Sequence, residues 1–89
     1  MSDFAIVESL FSRLLPALNG VFSVSEIAEV SEFVDVGEYG LALDTAVDIF
    51  VEEGKVAEDD VIVLVQSLAT AMELPAAEYS ERLRAAGGE

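Results

Sequence analysis

The 89-residue chain contains no histidine, no cysteine and no tryptophan, and only four of its side chains are basic. Without histidine and cysteine the chain lacks imidazole acid/base chemistry, Ser-His-Asp triads, thiolate nucleophiles, disulfides and zinc fingers. The scarcity of Lys and Arg argues against nucleic-acid binding, because cations are needed to replace the counterions of a phosphate backbone. It argues equally against docking on anionic lipid.

Long hydrophobic runs are also missing. The longest uninterrupted apolar run, Val61–Val65, is far shorter than the roughly 20 residues that a membrane-spanning helix needs. The first residues, Met1 to Phe4, have neither the basic region nor the apolar region of a signal peptide. We therefore expect a cytoplasmic protein that does not enter a membrane.

Acidic and apolar residues dominate what is present. Eighteen Asp and Glu residues give a formal net charge of −14, yet 53% of the chain is hydrophobic. Disordered acidic segments are poor in apolar residues, so this composition predicts one folded domain, residues 1–89, with a strongly negative surface. The partner that suits such a surface is a basic protein or the basic cleft of one.

The apolar residues recur at helical spacing, which predicts an all-α, compact bundle of four to five short helices. The predicted helices cover residues 3–18, 24–35, 38–53, 58–73 and 75–86. Ser2 is a candidate N-cap, Ser23 and Glu26 have capping-box spacing, and Gly54 is expected to end the third helix. The start of the fourth segment is rich in β-branched residues, so a strand is the alternative there. The apolar spacing that continues through Met72 favours a helix.

The third predicted helix carries the most informative surface. Asp44, Asp48 and Glu52 are spaced four residues apart and form one acidic ridge, with Leu41 exposed beside it. Like charges at this spacing are mutually destabilising, and no Lys or Arg on this helix offsets them. A charged rim around an apolar anchor is typical of a binding hot spot, although a merely solvated face is the alternative. The predicted partner-binding surface consists of Asp35, Glu38, Leu41, Asp44, Asp48 and Glu52.

The same carboxylates do not fit the common metal-binding or catalytic patterns. An EF-hand needs a glycine at position 6 and a glutamate at position 12 of its loop, and neither Gly40 nor Gly54 meets this spacing. Glycosidase-type chemistry needs a sugar-binding cleft, usually with aromatic platforms, which this small chain does not offer. We expect no catalytic residue, no metal site and no cofactor.

Phe33 and Val36 fall off the apolar stripe of the second predicted helix. Either they pack beneath the fifth helix, or they extend an apolar patch beside the acidic ridge. A homodimer that buries one of them is a further possibility.

Small, acidic, helical chains include the acyl carrier proteins, and the segment 36–41 is similar to the start of their second helix. That family attaches phosphopantetheine to the serine of an Asp-Ser-Leu motif. No serine lies between Ser31 and Ser67 here, and neither Ser-Leu step of the chain follows an aspartate. A carrier function is therefore the least favoured alternative.

The segment 33–48, with the sequence FVDVGEYGLALDTAVD, carries a second resemblance, which extends to residues 72–74. It resembles the MafI-type immunity proteins of bacterial polymorphic-toxin and contact-dependent growth inhibition systems, which have a GEYxLAL-acidic helix in the middle. The resemblance covers roughly the central and C-terminal two-thirds of the chain. It implies a small helical antidote that binds a cognate toxin domain, commonly a nuclease, and blocks it.

Electrostatics, argued without the family, leads to the same kind of partner. A nuclease cleft is basic because its substrate is polyanionic, and an acidic ridge can occupy that cleft by mimicking the substrate charge. We expect a non-enzymatic immunity protein whose partner is the basic C-terminal toxin domain of a large secreted protein. The alternative is an acidic adaptor or anti-regulator that binds another basic protein.

Overall fold

The computed structural model describes residues 4–87, which form five α-helices. They are α1 (Phe4–Leu18), α2 (Val24–Asp35), α3 (Tyr39–Glu53), α4 (Asp59–Ala71) and α5 (Ala76–Ala86). The predicted all-α bundle is confirmed, and residues 4–87 contain no strand, which excludes the strand alternative at the start of α4. The predicted N-cap Ser2 lies outside the described residues.

The start of α2 is fixed by the predicted capping box. The amide of Glu26 donates to Ser23 Oγ at 3.2 Å, and the amide of Ser23 donates to Glu26 Oε1 at 2.9 Å. Two backbone donors that the first helical turn leaves without partners are thereby satisfied.

Three helices end in the same way, with one residue in the left-handed conformation. This residue is Gly37 after α2 (φ 79°), Gly54 after α3 (φ 63°) and Glu73 after α4 (φ 61°). After each of them, the next amide donates to the carbonyl oxygen five residues earlier, at 2.8, 2.9 and 2.8 Å respectively. This is the Schellman motif, whose left-handed position favours glycine because it lacks a Cβ atom. The predicted role of Gly54 is confirmed, whereas Glu73 departs from the preference.

Every helix contributes to one core. α4 packs against α1 and α5, and α3 packs against α2 and α5. The largest fully buried side chains are Val7, Phe11, Leu14 and Leu18 of α1, Val30 of α2, Leu43, Val47 and Phe50 of α3, Val65 and Leu68 of α4, and Leu83 of α5. Phe33 is partly buried against this core, whereas Val36 is 72% exposed. None of the helices within residues 4–87 has both the length and the apolar character to span a membrane.

Lys55, just after α3, ties the connection between α1 and α2 to the rest of the bundle. Its ammonium group donates to the carbonyl oxygen of Val21 at 3.0 Å and lies 3.6 Å from Glu26 Oε1. It also lies 5.9 Å from the centre of the Phe22 ring. One cation therefore links the α1–α2 connection, the first turn of α2 and the end of α3.

Candidate functional site

The six residues of the predicted partner-binding surface lie on α3 or beside its start. Asp35 ends α2 and Glu38 immediately precedes α3, and both side chains are exposed. Leu41 is 49% exposed, and Glu52 is exposed one turn beyond Asp48. Asp44 and Asp48 are half-buried, because α5 packs along this part of α3.

Asp44 is occupied by a contact with α5. The hydroxyl of Tyr79 donates to Asp44 Oδ1 at 2.5 Å. Burial of the phenol and this hydrogen bond raise the pKa of Tyr79 to about 12, because both favour the neutral hydroxyl. Asp44 therefore joins two helices.

Asp48 is also engaged by α5, because Arg82 Nη2 lies 2.5 Å from Asp48 Oδ1. The sequence shows no cation on α3 that could offset the ridge, and the structure supplies one from α5, 34 residues later in the chain. Tyr79 and Arg82 are thus residues of this surface that sequence reasoning missed. Tyr79 and Arg82 are three residues apart on α5, and their partners Asp44 and Asp48 are four residues apart on α3. Both spacings are about one helical turn, but they predict these contacts only if α3 and α5 are already known to be neighbours.

A groove between α2 and α3 gathers more of the negative charge than the ridge alone. It has a volume of about 320 Å³, and Thr45 and Ile49 are part of its lining. Its acidic lining consists of Glu26, Glu29, Asp48, Glu52 and Glu53. The structure therefore brings the acidic face of α2 together with the distal part of the predicted ridge, and we call this region the acidic groove.

Three of the five carboxylates in the acidic groove have no partner within residues 4–87. Glu26 is held by the amide of Ser23 and by Lys55, both of which lower its pKa, and Asp48 is paired with Arg82. No hydrogen bond and no ion pair involves the side chains of Glu29, Glu52 or Glu53 within residues 4–87. These three side chains are exposed and carry charge that a partner can reach.

The acidic groove is not arranged as a metal site. Across the described part of the chain, no three carboxylates come close enough together to hold a metal ion. Its charges are spread along two helices instead, which suits a partner that presents several cations over a surface.

In comparisons with protein-family models, with curated proteins and with solved structures, nothing matches this chain. The features of the chain that bear on its function are the acidic groove, the ridge and the resemblance of the segment 33–48.

Proposed function

We propose that the protein is a non-enzymatic immunity protein that acts in the bacterial cytoplasm. Its acidic surface binds the basic cleft of a cognate toxin domain, a nuclease, and neutralises it. The observation that carries the proposal is the acidic groove, in which Glu29, Glu52 and Glu53 present charge that nothing else in the described chain engages. A surface of this kind resembles the polyanion that a nuclease cleft binds.

The contacts with α5 decide which acidic residues are suitable for testing the proposed surface. Asp44 and Asp48 contact Tyr79 and Arg82 of α5, so reversing their charges would change the packing of α5 as well as binding. Glu29 and Glu52 carry no such contact, so a change there tests recognition alone. Leu41 remains the apolar anchor of the proposed surface.

The first experiment recovers the partner from the native host. The tagged protein is the bait in a low-salt lysate, and bound proteins are identified by mass spectrometry. We expect a basic toxin domain that salt releases, and we expect its activity to stop when the pure protein is added. Recovery of a regulator without toxic activity would favour the adaptor or anti-regulator instead.

The second experiment locates the surface. Glu29→Lys and Glu52→Lys should each weaken toxin binding by roughly tenfold, since each replaces an attraction of up to about 1 kcal/mol with a repulsion of similar size. Glu81→Lys makes the same charge change on α5, outside the acidic groove, and serves as the matched control. If all three variants lose the same affinity, the groove is not the binding surface.

A further inference from the structure

A second feature of the surface is apolar. The starts of α1 and α3, the connection between α2 and α3 and the residues after α4 surround a pocket of about 310 Å³. Its apolar lining consists of Phe4, Val7, Tyr39, Met72 and Leu74. Phe4 is 60% exposed, and its ring centre lies 5.9 Å from that of Tyr39. We call this region the apolar pocket.

One carboxylate lines the apolar pocket, and two more belong to residues that contact or adjoin the lining. Glu38 lines it directly, and Glu8 accepts a hydrogen bond of 2.6 Å from the Tyr39 hydroxyl. Glu73 lies in the chain between the lining residues Met72 and Leu74. No Lys or Arg of the described chain is part of the lining.

Glu73 occupies a position where its own backbone is disfavoured. It is the left-handed residue of the Schellman motif after α4, and the two equivalent positions in this chain are Gly37 and Gly54. A Cβ atom disfavours this conformation, so a glycine would end α4 at lower cost. A strained residue beside a pocket suggests a role other than stability. At Glu73 this strained position places an exposed acidic residue between two residues that line the pocket.

We propose that the apolar pocket binds a basic segment of a partner protein. An apolar side chain of that segment enters between Phe4, Tyr39 and Leu74, and flanking Lys or Arg residues meet Glu38 and Glu73. A second copy of this chain is a poor occupant, because each copy carries a net charge of −14. The inference does not depend on the partner being a toxin. Only Glu38 is shared with the predicted partner-binding surface.

The test uses short capped peptides and the isotope-labelled protein, followed by nuclear magnetic resonance. The probe is Lys-Lys-Leu-Lys-Lys, and the control is Lys-Lys-Gly-Lys-Lys, which has the same charge but no apolar side chain. We expect saturable shifts at the amides of Gly37, Gly40 and Leu74 with the leucine peptide. The glycine peptide should bind about tenfold more weakly, since it buries no leucine side chain.

Two variants separate recognition from stability at Glu73. Glu73→Gln keeps the backbone strain and removes the charge, so binding of the leucine peptide should weaken about threefold while the urea midpoint stays unchanged. Glu73→Gly should weaken binding equally and raise the urea midpoint. Glu81→Gln, which removes one charge on α5, should leave both unchanged.

Three results would overturn the proposal. The first is equal affinity for the leucine and glycine peptides. The second is a set of shifts centred on the acidic groove instead of the apolar pocket. The third is a dimer in sedimentation whose formation the leucine peptide inhibits, which would show that a second copy of the chain covers the pocket. None of these measurements involves a toxin, so they stand or fall separately from the proposed function.

Discussion

Tyr79 joins α5 to the acidic ridge of α3 through one hydrogen bond. Its hydroxyl is partly buried and donates to Asp44, and its pKa is raised to about 12. In the unfolded chain a tyrosine titrates near pH 10. Between about pH 10 and 12 the unfolded chain loses a proton that the folded chain keeps, so stability falls as the pH rises. The stabilisation from Tyr79 is fully present below about pH 10.

Absorbance of the phenolate near 295 nm should reveal this shift. The chain has two tyrosines and no tryptophan, so Tyr39→Phe leaves Tyr79 as the single absorbing group there. We expect its phenolate to form near pH 12 while circular dichroism still shows a folded protein. A midpoint near pH 10 in the folded state would contradict the Tyr79–Asp44 contact. Tyr79→Phe is the matched variant, whose stability should decline less steeply above pH 10.

At the scale of the helices, α5 is attached by two different kinds of contact. Leu83 is fully buried in the core, at 1% exposure. The Arg82–Asp48 ion pair, in contrast, has side chains that are 43% and 50% exposed. Burial of an apolar side chain stabilises far more than an exposed ion pair does. The ion pair therefore orients α5, while Leu83 holds it.

Urea unfolding of single variants should separate these contributions. Leu83→Ala is expected to lower the free energy of unfolding by about 2–5 kcal/mol, because it leaves a cavity in the core. Arg82→Gln is expected to cost less than about 1 kcal/mol. Arg84→Gln changes an α5 cation that has no ion pair among the described residues, and it controls for the loss of charge. A larger loss for Arg82→Gln than for Leu83→Ala would contradict this account.

The helices could be predicted because short sequence patterns mark where they begin and end. Ser23 with Glu26 starts α2, and Gly54 ends α3, and both effects act within a few residues. Glu73 could not be predicted as a left-handed residue, since glutamate carries no such signal and the turn is set by the packing around it. Arg82 could not be assigned to Asp48 either, because the pair depends on how α5 lies against α3. Short sequence patterns therefore predict the helices. The candidate site could not be predicted in the same way, because it depends on contacts between helices that are distant in the sequence.

The net charge of −14 acts on the molecule as a whole. Its self-repulsion opposes the compact state, and salt screens charges that lie farther apart than about 10 Å at 0.1 M ionic strength. Salt should therefore stabilise the free protein. The same screening should weaken any complex with a basic partner, so the two effects have opposite signs.

A thermal melt of the free protein across a salt series tests this opposition. We expect the melting temperature to rise between about 0.02 M and about 0.5 M sodium chloride, where the screening length shortens several-fold. Glu52→Lys makes the net charge two units less negative and should show a smaller rise. A melting temperature that falls with salt would mean that attractive pairs, such as Lys55–Glu26, outweigh the repulsion.

The anchored position of Lys55 also governs how the protein can be cut. Trypsin cleaves after Lys and Arg, and Lys55 is the chain's single lysine, in the connection between α3 and α4. Its side chain is held by the Val21 carbonyl oxygen and by Glu26, so the protease cannot seat it until those contacts open. The rate of tryptic cleavage after Lys55 should then report how often the bundle opens locally. A partner that bridges α2 and α3 would lower this cleavage rate.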